Sequence, residues 1–114
     1  MKIKLLTLIA AAPFFVSATE IICSGQGSQG ELIEIEMNYS SKNKEIQIED
    51  MLYPIKIDNK FVIAWTNSAD GVDFINILSR INGSLQVLKN DQEGNQELRA
   101  SLQCIDVKDS LFLK

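Results

Sequence analysis

The chain has 114 residues, with 11 Lys and Arg against 15 Asp and Glu, two Cys and no His. Its length suits one small domain, and its 46% hydrophobic and 23% charged residues are typical of a globular chain. The lack of His excludes imidazole-dependent hydrolase triads, His-ligated zinc sites and histidine pH switches near neutrality.

The first 18 residues are typical of a secretory signal peptide. A basic start at Met1–Lys4 precedes an apolar run at Leu5–Val16, and small residues lead up to a cleavage point after Ala18. This run is too short for a membrane-spanning helix, which needs about 20 residues. We therefore predict a domain at 19–114 that does not span the membrane and is periplasmic or secreted.

The mature chain is predicted to be acidic. Cleavage removes Lys2 and Lys4 and no acids, leaving nine basic residues against 15 acidic ones and a net charge of −6. Nucleic acids and anionic membrane surfaces are bound by clustered basic residues, so we expect neither as a partner. A cationic protein is the better electrostatic match.

The two cysteines predict one intramolecular disulfide. Cys23 lies near the mature start and Cys104 near the end, and an exported chain with two cysteines most simply joins them. Their wide spacing does not match a redox or metal-binding pair. The bridge would place the first and last strands side by side, as a closed sheet requires.

The remaining sequence is a succession of short segments with period-two alternation, separated by turn residues. We predict strands at 20–23, 31–39, 45–49, 53–57, 61–65, 74–81, 84–89 and 97–104, with a short tail strand at 107–113. Pro54 indicates a strand start, a bulge or an edge. The predicted fold is all-β, a single antiparallel barrel or flattened sandwich of about eight strands in a meander.

Two turn segments frame the predicted 74–81 strand. Residues 67–71 are interpreted as a loop, and Asn82-Gly83 as a two-residue hairpin turn that pairs Ile81 with Ser84 and Leu78 with Val87. This pairing leaves both faces of the Phe74–Lys89 hairpin substantially apolar. The hairpin is then covered on both sides, or one face awaits a partner or a second copy of the chain.

The sequence offers no convincing catalytic, cofactor or metal site. Gly25–Gly30 matches G-x-G-x-x-G, but an alternating strand follows where a dinucleotide site needs a helix. Glu34 and Glu36 share the polar face of a strand, which indicates solvated carboxylates and not a hydrolase pair. We expect a non-enzymatic protein without a cofactor or metal.

One loop resembles a motif of a known family. Ser68-Ala-Asp-Gly-Val-Asp-Phe74 is similar to the S-A-S-G-A-x-Y loop of small exported bacterial lysozyme inhibitors of the C-type family, with Asp70 at the second serine and Phe74 at the tyrosine. Members of that family pair an early and a late cysteine around an eight-stranded barrel and insert this loop into the lysozyme cleft. The resemblance implies a partner-binding loop. Trp65, the only Trp, is expected in the core, but its position just before the loop also suits a contact surface, so it is added to the predicted contacts. The predicted contact residues are Trp65, Ser68, Asp70, Gly71 and Phe74.

Three functions remain open at this point. The first is protein binding, such as inhibition of a cationic, lysozyme-like hydrolase. The second is a lipocalin-like carrier of a small apolar or anionic ligand, held inside the barrel with Asn76 and Arg80 as polar anchors. The alternative for Arg80 is an ion pair at the barrel rim. The third is a structural homo-oligomer of the envelope that associates through the Phe74–Lys89 hairpin.

Overall fold

The computed structural model describes residues 18–107, which form eight antiparallel strands. The strands are β1 (Ala18–Gly27), β2 (Leu32–Ser40), β3 (Glu45–Ile48), β4 (Met51–Asp58), β5 (Val62–Ala69), β6 (Val72–Ser79), β7 (Ser84–Asn90) and β8 (Gln96–Asp106). Each strand pairs with the next, and β8 pairs with β1, so the sheet is a closed barrel. The predicted all-β meander is confirmed. Residues 18–107 include no helix long and apolar enough to cross a membrane.

Two sequence predictions fall mainly outside this region. The signal peptide was predicted for residues 1–18, of which only Ala18 is described, as the first residue of β1. The predicted tail strand at 107–113 is described only at Val107, whose N–H donates to the Glu20 carbonyl at 3.0 Å.

The barrel interior is built by the period-two alternation of the strands. Every second side chain turns inward, and the inward set forms one hydrophobic core. The largest side chains that are less than 2% exposed are Trp65, Ile21, Met37, Ile46, Ile63, Leu78, Leu85 and Cys23. The exposed Glu34 and Glu36 lie on the outer face of β2, as predicted.

The first and last strands close the barrel. β1 and β8 pair over seven residue pairs, and within them Cys23 lies directly opposite Cys104. The two residues form a disulfide that joins positions 81 apart in the sequence. The predicted bridge and the predicted neighbourhood of the first and last strands are both confirmed.

The predicted loop at 67–71 is wrong, because β5 continues to Ala69 and β6 already begins at Val72. Only Asp70 and Gly71 form the turn, with φ angles of 55° and 78°. Positive φ at both central residues is what a type I′ hairpin turn requires, and Asp-Gly is a preferred pair for it. The segment is thus a tight two-residue hairpin tip.

The predicted two-residue turn at Asn82-Gly83 is also wrong. β6 ends at Ser79 and β7 begins at Ser84, so four residues form the turn, and Leu78 pairs with Leu85 instead of Val87. The Ser79 hydroxyl oxygen accepts hydrogen bonds from two backbone N–H groups within the turn, and Gly83 N–H donates to the Ser79 carbonyl at 3.0 Å. The register is shifted by two residues, so the faces of the strands stay as predicted.

The strands β4 and β5 pair over only part of their length. Their register consists of Ile55 with Trp65, Ile57 with Ala64 and Asp58 with Ile63, with a bulge between the first two pairs. Residues 51–54 pair with β3 alone, and residues 66–69 pair with β6 alone. Pro54 lies where pairing with β5 stops, which fits the predicted edge or bulge position.

Candidate functional site

The two ends of the barrel carry opposite charge in their turns. In a meander, alternate turns lie at the same end of the barrel. One end has the turns 28–31, 49–50, 70–71 and 91–95, which contain acids and no Lys or Arg. We call it the acidic end, and its six turn acids are Glu31, Glu49, Asp50, Asp70, Asp91 and Glu93.

The opposite end, here called the basic end, has the turns 41–44, 59–61 and 80–83. These turns contain no Asp or Glu, and their four basic residues are Lys42, Lys44, Lys60 and Arg80. The turns of the described barrel are therefore electrically polar along its axis, although Asp58 offsets part of the positive charge of Lys44 and Arg80. An approaching cationic surface is attracted most strongly to the acidic end.

The basic end is held together around Asp58, whose side chain is only 10% exposed. Tyr39 donates its hydroxyl hydrogen bond to Asp58 Oδ2 at 2.8 Å, and Lys44 Nζ lies 3.7 Å from the same oxygen. Arg80 Nη1 lies 3.8 Å from Asp58 Oδ1 and donates to the Asn59 carbonyl at 2.9 Å. Burial, followed by the hydrogen bond to Asp58, raises the pKa of Tyr39 to about 12. This network serves the structure of the barrel end.

The predicted contact loop is the tip of the β5–β6 hairpin at the acidic end. Ser68, Asp70 and Gly71 are exposed there, and the Ser68 hydroxyl donates to Asp73 Oδ1 at 2.5 Å. Phe74 is half-buried on the inward face of β6. The structure thus brings together four of the five predicted contact residues, three of them at the surface.

Trp65, the fifth, does not belong to this surface. Its side chain is 1% exposed and lies in the hydrophobic core of the barrel. The alternation of β5 explains the difference, because Trp65 turns inward while Thr66 and Ser68 turn outward. The expectation that Trp65 is a core residue is thus confirmed, and its alternative role at the contact surface is not.

The neighbouring turn between β7 and β8 adds a fixed carboxylate to the acidic end. Asp91 Oδ1 accepts hydrogen bonds from Asn95 N–H at 2.8 Å and Glu93 N–H at 2.9 Å. These bonds, the one from Asn95 first, lower the pKa of Asp91, so it remains ionised. A shallow groove of about 240 Å³ separates this turn from the β5–β6 tip and includes Asp73 and Lys89 in its wall.

The two residues predicted to anchor a ligand inside the barrel are bonded to protein atoms. Asn76 is 7% exposed and donates to Asn67 Oδ1 at 2.8 Å and to the Trp65 carbonyl at 3.4 Å. Arg80 belongs to the Asp58 network at the basic end. Asn76 lies within β6 and Arg80 in the turn after it, with the fully buried Leu78 between them, so the two polar groups do not meet in one pocket.

The polarity of the turns was not predicted from the sequence, because the net charge of the mature chain does not assign individual turns to the two ends of the barrel. Comparison of the chain with protein-family models, with curated proteins and with solved structures found no match.

Proposed function

We propose that the protein is an exported, non-enzymatic binding protein that captures a cationic protein, such as a lysozyme-like hydrolase, at its acidic end. The observation that carries this proposal is the complete separation of charge between the turns of the two ends. The β5–β6 tip, which resembles the loop of lysozyme inhibitors, lies among these acids. The disulfide is compatible with an oxidising periplasmic or extracellular compartment.

The arrangement suits capture for two physical reasons. Like charges collected on one end attract a cationic surface over a distance and raise its association rate. The Asp70-Gly71 turn is short and both its residues are fixed in left-handed conformations, so the tip loses little conformational entropy when it binds. The partner is then attracted by the charge of the whole end and held by a preformed hairpin.

The electrostatic part of the proposal is tested with a cationic lysozyme and two matched charge variants. Glu49→Gln with Asp70→Asn removes two charges from the acidic end, and Lys42→Gln with Lys60→Gln removes two from the basic end. We expect the first variant to lower the association rate about tenfold and the second to leave it unchanged or raise it. An equal loss in both variants, or no loss in either, would overturn the proposal.

The role of the hairpin tip is tested by steric blocking. Ser68→Trp places a large ring on the exposed tip, while Ser101→Trp places the same ring on the exposed face of β8. We expect the first substitution to abolish both lysozyme capture and inhibition of its activity, and the second to preserve them. Thermal unfolding of both variants controls for damage to the fold. Capture that survives Ser68→Trp would remove the tip from the binding surface.

A further inference from the structure

We propose that the unpaired backbone edge of β5 at the acidic end is a docking site for an extended, basic peptide segment, which binds by adding a strand to the sheet. This inference deepens the function proposed above and rests on it. It identifies the kind of contact that a cationic partner would make once it has been attracted.

The edge follows from the hydrogen-bond directions of the two strands. The Val62 carbonyl accepts from Asn59 N–H on the β4 side of β5. Successive residues of a strand alternate in direction, so Thr66 and Ser68 also turn their N–H and C=O groups towards β4. Within the described residues no strand pairs with them on that side.

The facing edge of β4 is equally open. Ile55 N–H donates to the Lys44 carbonyl on the β3 side, so alternation turns the backbone groups of Leu52 and Pro54 towards β5. Pro54 has no N–H to donate. The opening between residues 51–54 and 66–69, here called the open seam, therefore presents its most complete donor and acceptor set on β5, at Thr66 and Ser68.

The residues around the open seam indicate what kind of peptide would bind there. The adjoining turns contribute Glu49, Asp50 and Asp70, and neither 49–54 nor 66–73 contains a Lys or Arg. Met51 and Leu52 are 57% and 56% exposed at its border. Unpaired strand edges accept extended peptides through main-chain hydrogen bonds, with side chains giving specificity. An extended segment that alternates basic and apolar residues satisfies the edge, the acids and the apolar border together.

The test uses the full oxidised chain and two synthetic octapeptides, one of four Lys-Val repeats and one of four Glu-Val repeats. We expect the Lys-Val peptide to bind and to slow amide hydrogen exchange at Thr66 and Ser68, and the Glu-Val peptide to do neither. Thr66→Pro removes the N–H that faces the open seam without removing a β5–β6 hydrogen bond, and should weaken Lys-Val binding about tenfold or more. Thr66→Val is the matched control, since it keeps the N–H and should bind normally.

Several results would overturn the inference. Binding without slowed exchange at the two amides, or equal binding by both peptides, would show that only diffuse charge is at work. A dimer of the unliganded chain that Thr66→Pro dissociates would assign the edge to a second copy. If neither peptide binds, the inference is wrong, and Pro54 and the acids serve only to prevent aggregation through this edge. If Thr66→Pro fails to fold, the exchange measurement on the unsubstituted chain decides. Lysozyme capture that Thr66→Pro leaves intact refutes the seam inference and not the proposed function.

Discussion

We expect reduction of the Cys23–Cys104 disulfide to lower the free energy of unfolding by about 4.5 kcal/mol. The bridge joins residues 81 apart, and in the chain-entropy description a loop of that length removes about 15 cal/mol/K from the unfolded chain, or about 4.5 kcal/mol at 298 K. The folded state does not need the bond to keep its register, because β1 and β8 pair over seven residue pairs. Both cysteine side chains are buried, which also favours a packed barrel after reduction.

The assay compares guanidinium unfolding of the oxidised chain and of the same chain in a reducing agent, followed by fluorescence of the buried Trp65. Amide exchange of β1 and β8 without denaturant reports on the folded state. We expect a large difference in free energy, with amide protection in β1 and β8 reduced no more than in the other strands. A difference in free energy under about 1 kcal/mol would refute the entropic explanation. A loss of protection confined to β1 and β8 would show that the bond holds the folded strands together.

Two further predictions concern local geometry and pH. Gly83→Ala should cost about 2–4 kcal/mol against about 1 for Gly71→Ala. Both glycines have φ of 78°, but a Cβ at 83 would lie 2.8 Å from the Cys104 carbonyl oxygen, whereas nothing lies within 4 Å at 71; equal costs in chemical denaturation would contradict the close approach. The pKa of Tyr39 is raised from 10.0 to about 12 in the folded state. The resulting stabilisation, about 1–2 kcal/mol for a hydroxyl at a barrel end, should be complete below pH 10 and lost as the pH rises through 12. Tyr39→Phe should lack this part of the decline, and identical stability profiles would contradict it.

The strands were predictable because one side of each faces the core and the other faces solvent. The alternation of Ile33, Ile35, Met37 and Tyr39 with polar residues is the direct consequence of that difference, and it predicts the inward set of β2. The cysteine pair predicted the meeting of β1 and β8. Local burial pattern and one covalent constraint thus sufficed for the fold class.

The turns were less predictable, because two dipeptides that both favour a two-residue hairpin turn lie in different tertiary surroundings. Asp70-Gly71 forms the two-residue turn that its chemistry favours, although the polar residues before it suggested a loop. Asn82-Gly83 carries the same signal, but the Ser79 side chain holds a four-residue turn and Gly83 O accepts a hydrogen bond from Cys104 N–H at 2.8 Å. A contact with β8, about 20 residues away in the sequence, therefore overrides the preference of Asn-Gly for a two-residue turn. The sequence of the turn itself does not reveal that contact.

The candidate site depended on topology in the same way. Acids and bases are scattered along the chain, and only the meander makes alternate turns converge at one end. If a meander is assumed, the charge difference between the two barrel ends follows from the sequence, since the first, third, fifth and seventh turns are acidic. The open seam could not be predicted from the sequence, because it arises from the β4–β5 bulge and the limited pairing beside it.

The disulfide and the open seam occupy opposite positions in the ring of strands. The β8–β1 junction and the β4–β5 junction are each four strands from the other. A barrel that pairs incompletely at one junction opens there more readily, and the covalent bond at the other junction limits how far the strands separate during such a transient opening. Reduction should therefore speed amide exchange at the remaining β4–β5 pairs, of which Ile57 with Ala64 is one, more than at β6–β7. Such a pattern would show that covalent closure on one side of the barrel lets the sheet keep an unpaired edge on the other.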